Sequence, residues 1–335
     1  MLARTPEPCQ TPAWKRELAE AYRRPEDLLA DLGLPARLAA RARPASGGFP
    51  FLVPRAYAAR MRHGEAHDPL LRQVLPSARE LTDAPGYCGD PVGDTHAQRL
   101  PGLLQKYAGR ALLLLTGACA VHCRYCLRRH FPYADGTLAG DRGEAALRAI
   151  AAEAGITEVI LSGGDPLTWD DHQLGTLIER LSAIPHLRRL RVHTRLPVVL
   201  PSRVTPQLCA SLAGSRLKTL VVVHVNHPRE LSDAVRGAFA ALCAGGTPLL
   251  NQSVLLRGVN DDAGTLAELS EGLFDCGVLP YYLHLLDPVS GAAHFEVPAA
   301  RARGLLDALR AALPGYLVPR LVRETPGAAC KQPVA

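Results

Sequence analysis

The stretch ALLLLTGACAVHCRYCLRRHFPY, residues 111–133, decides how the rest of the chain is read. Its apolar run, Ala111 to Leu115, is too short for a helix and suits a buried strand. Small residues follow, and then Cys119, Cys123 and Cys126, separated by three and two intervening residues. A strand that ends in a polar, cysteine-bearing loop is how parallel α/β folds present chemistry, because the loops at strand ends converge there.

Toward the C-terminus the same unit repeats. Further strands are predicted at 158–162 (EVILS), 190–194 (LRVHT), 219–225 (TLVVVHV), 249–255 (LLNQSVL) and 279–286 (LPYYLHLL). Between them, GEAALRAIAAEA, DHQLGTLIERLSAI, LSDAVRGAFAALCA and GTLAELSEGLFDCG place apolar residues at helical spacings of three and four. Six such units predict an α/β fold with parallel strands and helices outside, a partial (β/α)6 barrel. The polar clusters fall at the strand ends, as GACAVHCRYC, GGDP, HTR, HVNH and DPVSG.

Toward the N-terminus the pattern changes. TPAWKRELAEAYR and PEDLLADLGL read as helices, interrupted by the Gly/Pro-rich stretches ARPASGGFPF and APGYCGDPVGD. The expected division is a helical and extended cap over 1–105, the barrel over 106–290 and a C-terminal segment over 291–335.

At 335 residues, 47% of them hydrophobic, the chain can bury a large core, and no apolar run reaches bilayer-spanning length. The start, MLARTPEPCQTPAWKRELAE, lacks the apolar centre of a secretory signal, so a cytoplasmic location is expected. Nine cysteines in such a setting do not read as a disulfide framework. The net charge of +6 is spread over Ala/Leu/Arg-rich helical stretches, which reads as solvated helix faces and not as a nucleic-acid surface.

Three close thiolates can hold three irons of a four-iron cluster, and without an equally close fourth one iron stays open to a small ligand. Two other readings stand beside this one: a zinc site completed by His122 or His130, and plain structural thiols.

The Cys-x3-Cys-x2-Cys run with Tyr125 before its last cysteine resembles the radical S-adenosylmethionine (SAM) signature, and LSGGDPL (161–167) resembles the Gly-rich motif of that superfamily. The resemblance implies a [4Fe–4S] cluster on Cys119, Cys123 and Cys126. It places the methionyl end of SAM near Gly163, Gly164 and Asp165, where glycine lets backbone amides approach a ligand closely. Over residues 101–333 the text is similar to lysine 2,3-aminomutases, through CRYCLRRHFPY, RLPVVLPSRVT, HVNHPRE, NQSVLLRGVNDD, DPVSGAAHF and ETPGAACKQP. The segments FPFLVPRAYAARMRHGEAHDPLLRQVLP and PGLLQKYAGRALLL resemble the shorter branch that makes β-lysine for elongation factor P.

That family resemblance implies a second cofactor, pyridoxal 5′-phosphate (PLP), held by Lys331, with Arg110 and Lys106 neutralising its oxygens. It implies Arg128 for the substrate carboxylate, Asp287 and Glu324 for the distal ammonium of L-lysine, and His224 and Gln252 for SAM. Glu324 stands where the longer catabolic enzymes have Asp, and Ala328, Ala329 and Cys330 stand where they have glycines. The implied partners are an external electron donor, a lysyl-tRNA-synthetase-like ligase and elongation factor P, with no membrane and no direct nucleic-acid contact. A different amino acid as substrate, such as ornithine, arginine or glutamate, is the alternative within this chemistry. A zinc-containing nucleic-acid binding module is the alternative outside it.

Overall fold

A computed structural model describes residues 11–38, 49–138 and 141–334. Ten strands follow one another across a single sheet in chain order. They are β1 (Gln98–Leu100), β2 (Leu103–Leu104), β3 (Arg110–Leu114), β4 (Glu158–Ser162), β5 (Arg189–Thr194), β6 (Lys218–Val223), β7 (Leu249–Val254), β8 (Val278–His284), β9 (Arg320–Arg323) and β10 (Gln332–Pro333). From β3 to β9 every neighbour is parallel, whereas β1, β2 and β10 pair antiparallel at the two edges.

The strands expected from the sequence appear as β3 to β8, with ends displaced by at most two residues. The parallel run also continues through β9, which extends the partial barrel beyond its six expected units. Only Leu321 and Val322 are buried in β9, between two exposed arginines, so its pattern is too short to read. β4 is buried along its whole length, as a parallel strand covered on both faces must be.

The crossovers are helices that bury one stripe. Residues 171–182 turn Leu174, Leu177, Ile178 and Leu181 inward, each contributing about 1.5–3 kcal/mol. Their start is fixed by a reciprocal cap between Asp170 and Gln173. Asp262 caps the helix over 263–275 one-sidedly, its side chain accepting from the Thr265 amide at 2.8 Å.

In the N-terminal region the helices Ala13–Ala19 and Pro25–Asp31 lie inside the stretches expected to be helical. Trp14 is buried beneath the Arg203 guanidinium, 4.8 Å from its ring, so this part packs on the flank of the barrel. One apolar cluster runs from Trp14 and Leu28 through Val223 to Val278. Of the expected linker ARPASGGFPF, positions up to 48 lie outside the described residues. The second stretch, APGYCGDPVGD, does more than link. Cys88 forms a parallel bridge with Val289, its amide donating to Pro288 O at 2.9 Å, and this lays residues 88–94 across the end of β8. No helix among the described residues is long and apolar enough to cross a membrane.

Candidate functional site

The loop leaving β3 is clamped onto the loop leaving β4. The Gly164 amide donates to Thr116 O at 2.7 Å, and the Asp165 amide to Ala118 O at 2.8 Å. A Cβ on Gly163 would lie 2.5 Å from Thr116 O, and one on Gly164 2.2 Å from Ala118 O. Gly163 also has φ +132, a backbone conformation that side chains disfavour. The two glycines therefore let the cysteine loop seat directly on β4. This corrects one expectation: the Gly164 N–H is bonded to the protein itself and is not left for a ligand.

Asp165 is likewise a tie between strand ends. Its carboxylate accepts from Leu167 N, from Thr194 Oγ1 at 2.8 and 2.9 Å, and from the Arg195 and Leu196 amides at 2.7 and 3.2 Å. Burial raises its carboxyl to about 6 against those bonds. With both oxygens saturated, Asp165 positions the β5 end; the expected direct contact with SAM is replaced by this positioning role.

The three cysteines line a cavity of about 760 Å³ at the C-terminal ends of the parallel strands. Burial holds the Cys119 thiol well above its ordinary value and pushes Cys126 up to about 11. The Cys123 sulfur accepts from Arg195 Nη1 at 2.7 Å. His122 and His130, the proposed zinc ligands, each have a ring nitrogen 3.1 Å from a backbone carbonyl, of Pro50 and Ser290 respectively. Among the described residues no trio of His, Cys, Asp or Glu is set to hold a single ion. Thiolates that each take a different iron of one cluster need no such convergence, so the trio fits a cluster better than zinc.

Opposite the cysteines, charges alternate along a chain. Arg128 Nε meets Asp94 Oδ2 at 2.5 Å, Lys106 Nζ meets Asp94 Oδ1 at 2.6 Å and Glu324 Oε1 at 2.8 Å, and Glu324 Oε2 meets Lys331 Nζ. Burial would raise the Glu324 carboxyl, but Lys331 and Lys106 override it and hold it at about 2. Asp287 goes the other way, pushed to about 7 by burial and by the Glu324 charge. Two carboxylates of one cavity are thus driven apart, one ionised throughout the neutral range and one poised within it. His193, His224 and His284 are kept neutral by burial and by the surrounding cations.

All fourteen residues singled out in the sequence, from Lys106 to Lys331, line this one cavity. Besides Gly164 and Asp165, two more of them sit differently from expectation. Glu324 was expected to take a substrate ammonium, yet both its oxygens are held by Lys106 and Lys331. Lys106, through the same bonds and one to Val92 O at 2.8 Å, is committed to carboxylates and a carbonyl. Arg110 lies over the Tyr107 ring at 5.0 Å, the better placed of the two cations for a phosphate. Asp94, His193, Arg195 and His284 were missed. The strand-end HTR at the third strand was the one signal that covered His193 and Arg195.

Residues 113–269 match the model of the Radical SAM superfamily. The L-lysine 2,3-aminomutase of Escherichia coli (strain K12) is 49% identical over 324 residues, covering 96% of this chain and 94% of its own. That of Haemophilus influenzae is 46% identical over 314 residues, covering 94% and 93%. The L-lysine 2,3-aminomutase of Clostridium subterminale is 37% identical over 271 residues, covering 81% of this chain and 65% of its own.

Proposed function

The chain belongs to the L-lysine 2,3-aminomutase family within the radical SAM superfamily, and on that footing we propose that it isomerises L-lysine to β-lysine. As an isomerase of this family it works with a [4Fe–4S] cluster, SAM and PLP. When bound, the cluster and SAM supply a 5′-deoxyadenosyl radical, and PLP supplies a π-system across which an amine shifts between neighbouring carbons.

The observation that carries this reading is a match between three groups of lysine and three of the cavity. Arg128, fixed in direction by Asp94 and by a 3.1 Å bond to Ser162 Oγ, offers its guanidinium to the carboxylate. Lys331 is the amine that would hold PLP, the group that would meet the substrate α-amine. Asp287, which shares the cavity with the Lys331 and Lys106 pair bound to Glu324, takes the distal ammonium. Cys119, Cys123 and Cys126 hold the cluster. Gly163, Gly164, His224 and Gln252 line the wall that SAM would share with it, and Arg110 neutralises phosphate. Glu324 keeps Lys106 and Lys331 paired, and the walls exclude water around the radical.

In this reading 106–290 carries the radical chemistry and 291–335 delivers the lysine. The product passes to a lysyl-tRNA-synthetase-like ligase for elongation factor P, a use supported by the text of residues 49–76. Anaerobic protein given SAM, PLP, a reductant and L-lysine should yield β-lysine. Deoxyadenosine without β-lysine would move the substrate to another amino acid, and neither product from cluster-loaded protein would end the aminomutase reading.

A further inference from the structure

Behind the cysteine loop lies a buried polar network that the reaction above does not use. Arg195 follows β5 and is only 7% exposed. Its Nη1 reaches Cys123 Sγ at 2.7 Å, and its Nη2 is shared by Gln73 Oε1 at 2.7 Å, Glu230 Oε1 at 3.0 Å and Tyr57 OH at 3.3 Å. Glu230 is wholly buried and takes further bonds from Tyr57 OH, Gln73 Nε2 and the Asn226 amide. The Arg195 backbone is pinned by Asp165, on the same turn that clamps the cysteine loop. Arg195 Nε, also buried, has no acceptor among the described residues. The guanidinium is thus held rigidly, with one N–H committed to a cysteine sulfur.

We propose that Arg195 sets the reduction potential of the cluster by donating a charged hydrogen bond to the Cys123 sulfur, with Glu230 as the counter-charge that limits its effect. The proposal rests on Cys123 being a cluster ligand. Reduction adds one electron to the cluster and increases negative charge on its sulfurs. A cationic donor at a ligating sulfur stabilises that reduced form, so it raises the potential. Glu230, on the other side of the same guanidinium, opposes the rise by adding negative charge nearby. The pair gives the molecule two levers of opposite sign on one metal group. Glu230 does not line the cavity, whereas Arg195 borders it beside Cys123.

The test is an EPR-monitored redox titration with dithionite on anaerobically reconstituted full-length protein, with iron and sulfide counted first. Arg195→Gln should move the midpoint to lower potential by about 59 mV, a tenfold change in a one-electron equilibrium. Glu230→Gln should move it the opposite way. Should Arg195→Gln fail to fold with Glu230 left unpaired, the electroneutral double variant Arg195→Gln/Glu230→Gln carries the test, and its midpoint should also lie below that of the unsubstituted protein. Full cluster loading with an unchanged midpoint in the Arg195 variants overturns the proposal. So do shifts of the same sign in both single variants, the result expected of mere loosening. Absence of a four-iron cluster in the unsubstituted protein would instead overturn the reading of Cys123 on which the proposal rests.

Discussion

Asp287 and Glu324 show how far one cavity can separate two carboxyls, and the separation makes opposite predictions for them. The folded Asp287 carboxyl titrates near 7, above the roughly 3.9 of an unfolded aspartate, so between those values the folded state binds the extra proton. Stability from this group therefore falls as pH rises through that window. Asp287→Asn should leave the protein at least as stable as the parent at pH 8 in urea. The same change should cut kcat/KM for lysine by about 100-fold or more, because the ammonium loses its charged partner. In the parent, KM for lysine should fall as pH rises through about 7, and in the variant this dependence should vanish. A less stable variant would contradict the burial penalty on the ionised carboxylate, and one that keeps lysine turnover would remove Asp287 from the ammonium site. Glu324, held at about 2, gives stability that is full above the unfolded value near 4.3 and lost as pH drops toward 2. Glu324→Gln should cost about 2–3 kcal/mol at pH 7 and progressively less toward pH 3. Equal differences at both pH values would contradict the double ion pair.

Among the elements, the turn after β4 shows what a motif can and cannot tell. LSGGDPL marked a site from the sequence, but the reason for its glycines is steric and lies in another loop. A Cβ on Gly164 would fall 2.2 Å from Ala118 O, a contact that neither backbone can relieve without opening the clamp. Gly164→Ala should therefore retain the helical circular dichroism of the parent yet lose most of its iron after reconstitution. Full iron in this variant would show that the clamp does not position the cysteines. Strands β3 to β8 were legible because their apolar runs are regular, and the cysteines because their spacing is compact. Asp94 was not, since it sits in a Pro/Gly-rich stretch with no periodicity and acquires its role only when Cys88 pairs with Val289. The role of Asp165 was misread for a related reason: its acceptors face the end of β5, thirty residues on, and nothing local announces that.

At the scale of the whole molecule, the cavity draws on both ends of the sheet, with Leu104 of β2 and Lys331 ahead of β10 both lining it. Lys331 reaches the cavity from a turn that begins at Gly327, with φ +76, and leads into β10. That edge strand contributes only the pairs Gln332–Arg323 and Pro333–Val322, too few to hold it alone. The anchor is Val334, 9% exposed and packed in the cluster of Leu309, Leu317 and Leu321. Introducing a charge there should release the strand while sparing the cysteine loop, which is tied instead to β4. Val334→Asp should lose the visible absorbance of bound PLP and the formation of β-lysine. Its iron content should match the parent, and deoxyadenosine should still appear with reductant and SAM, uncoupled from lysine. Loss of both cofactors together would show that the C-terminal edge supports the entire barrel. Retention of both would place the anchor of Lys331 in its turn, with the strand behind it dispensable.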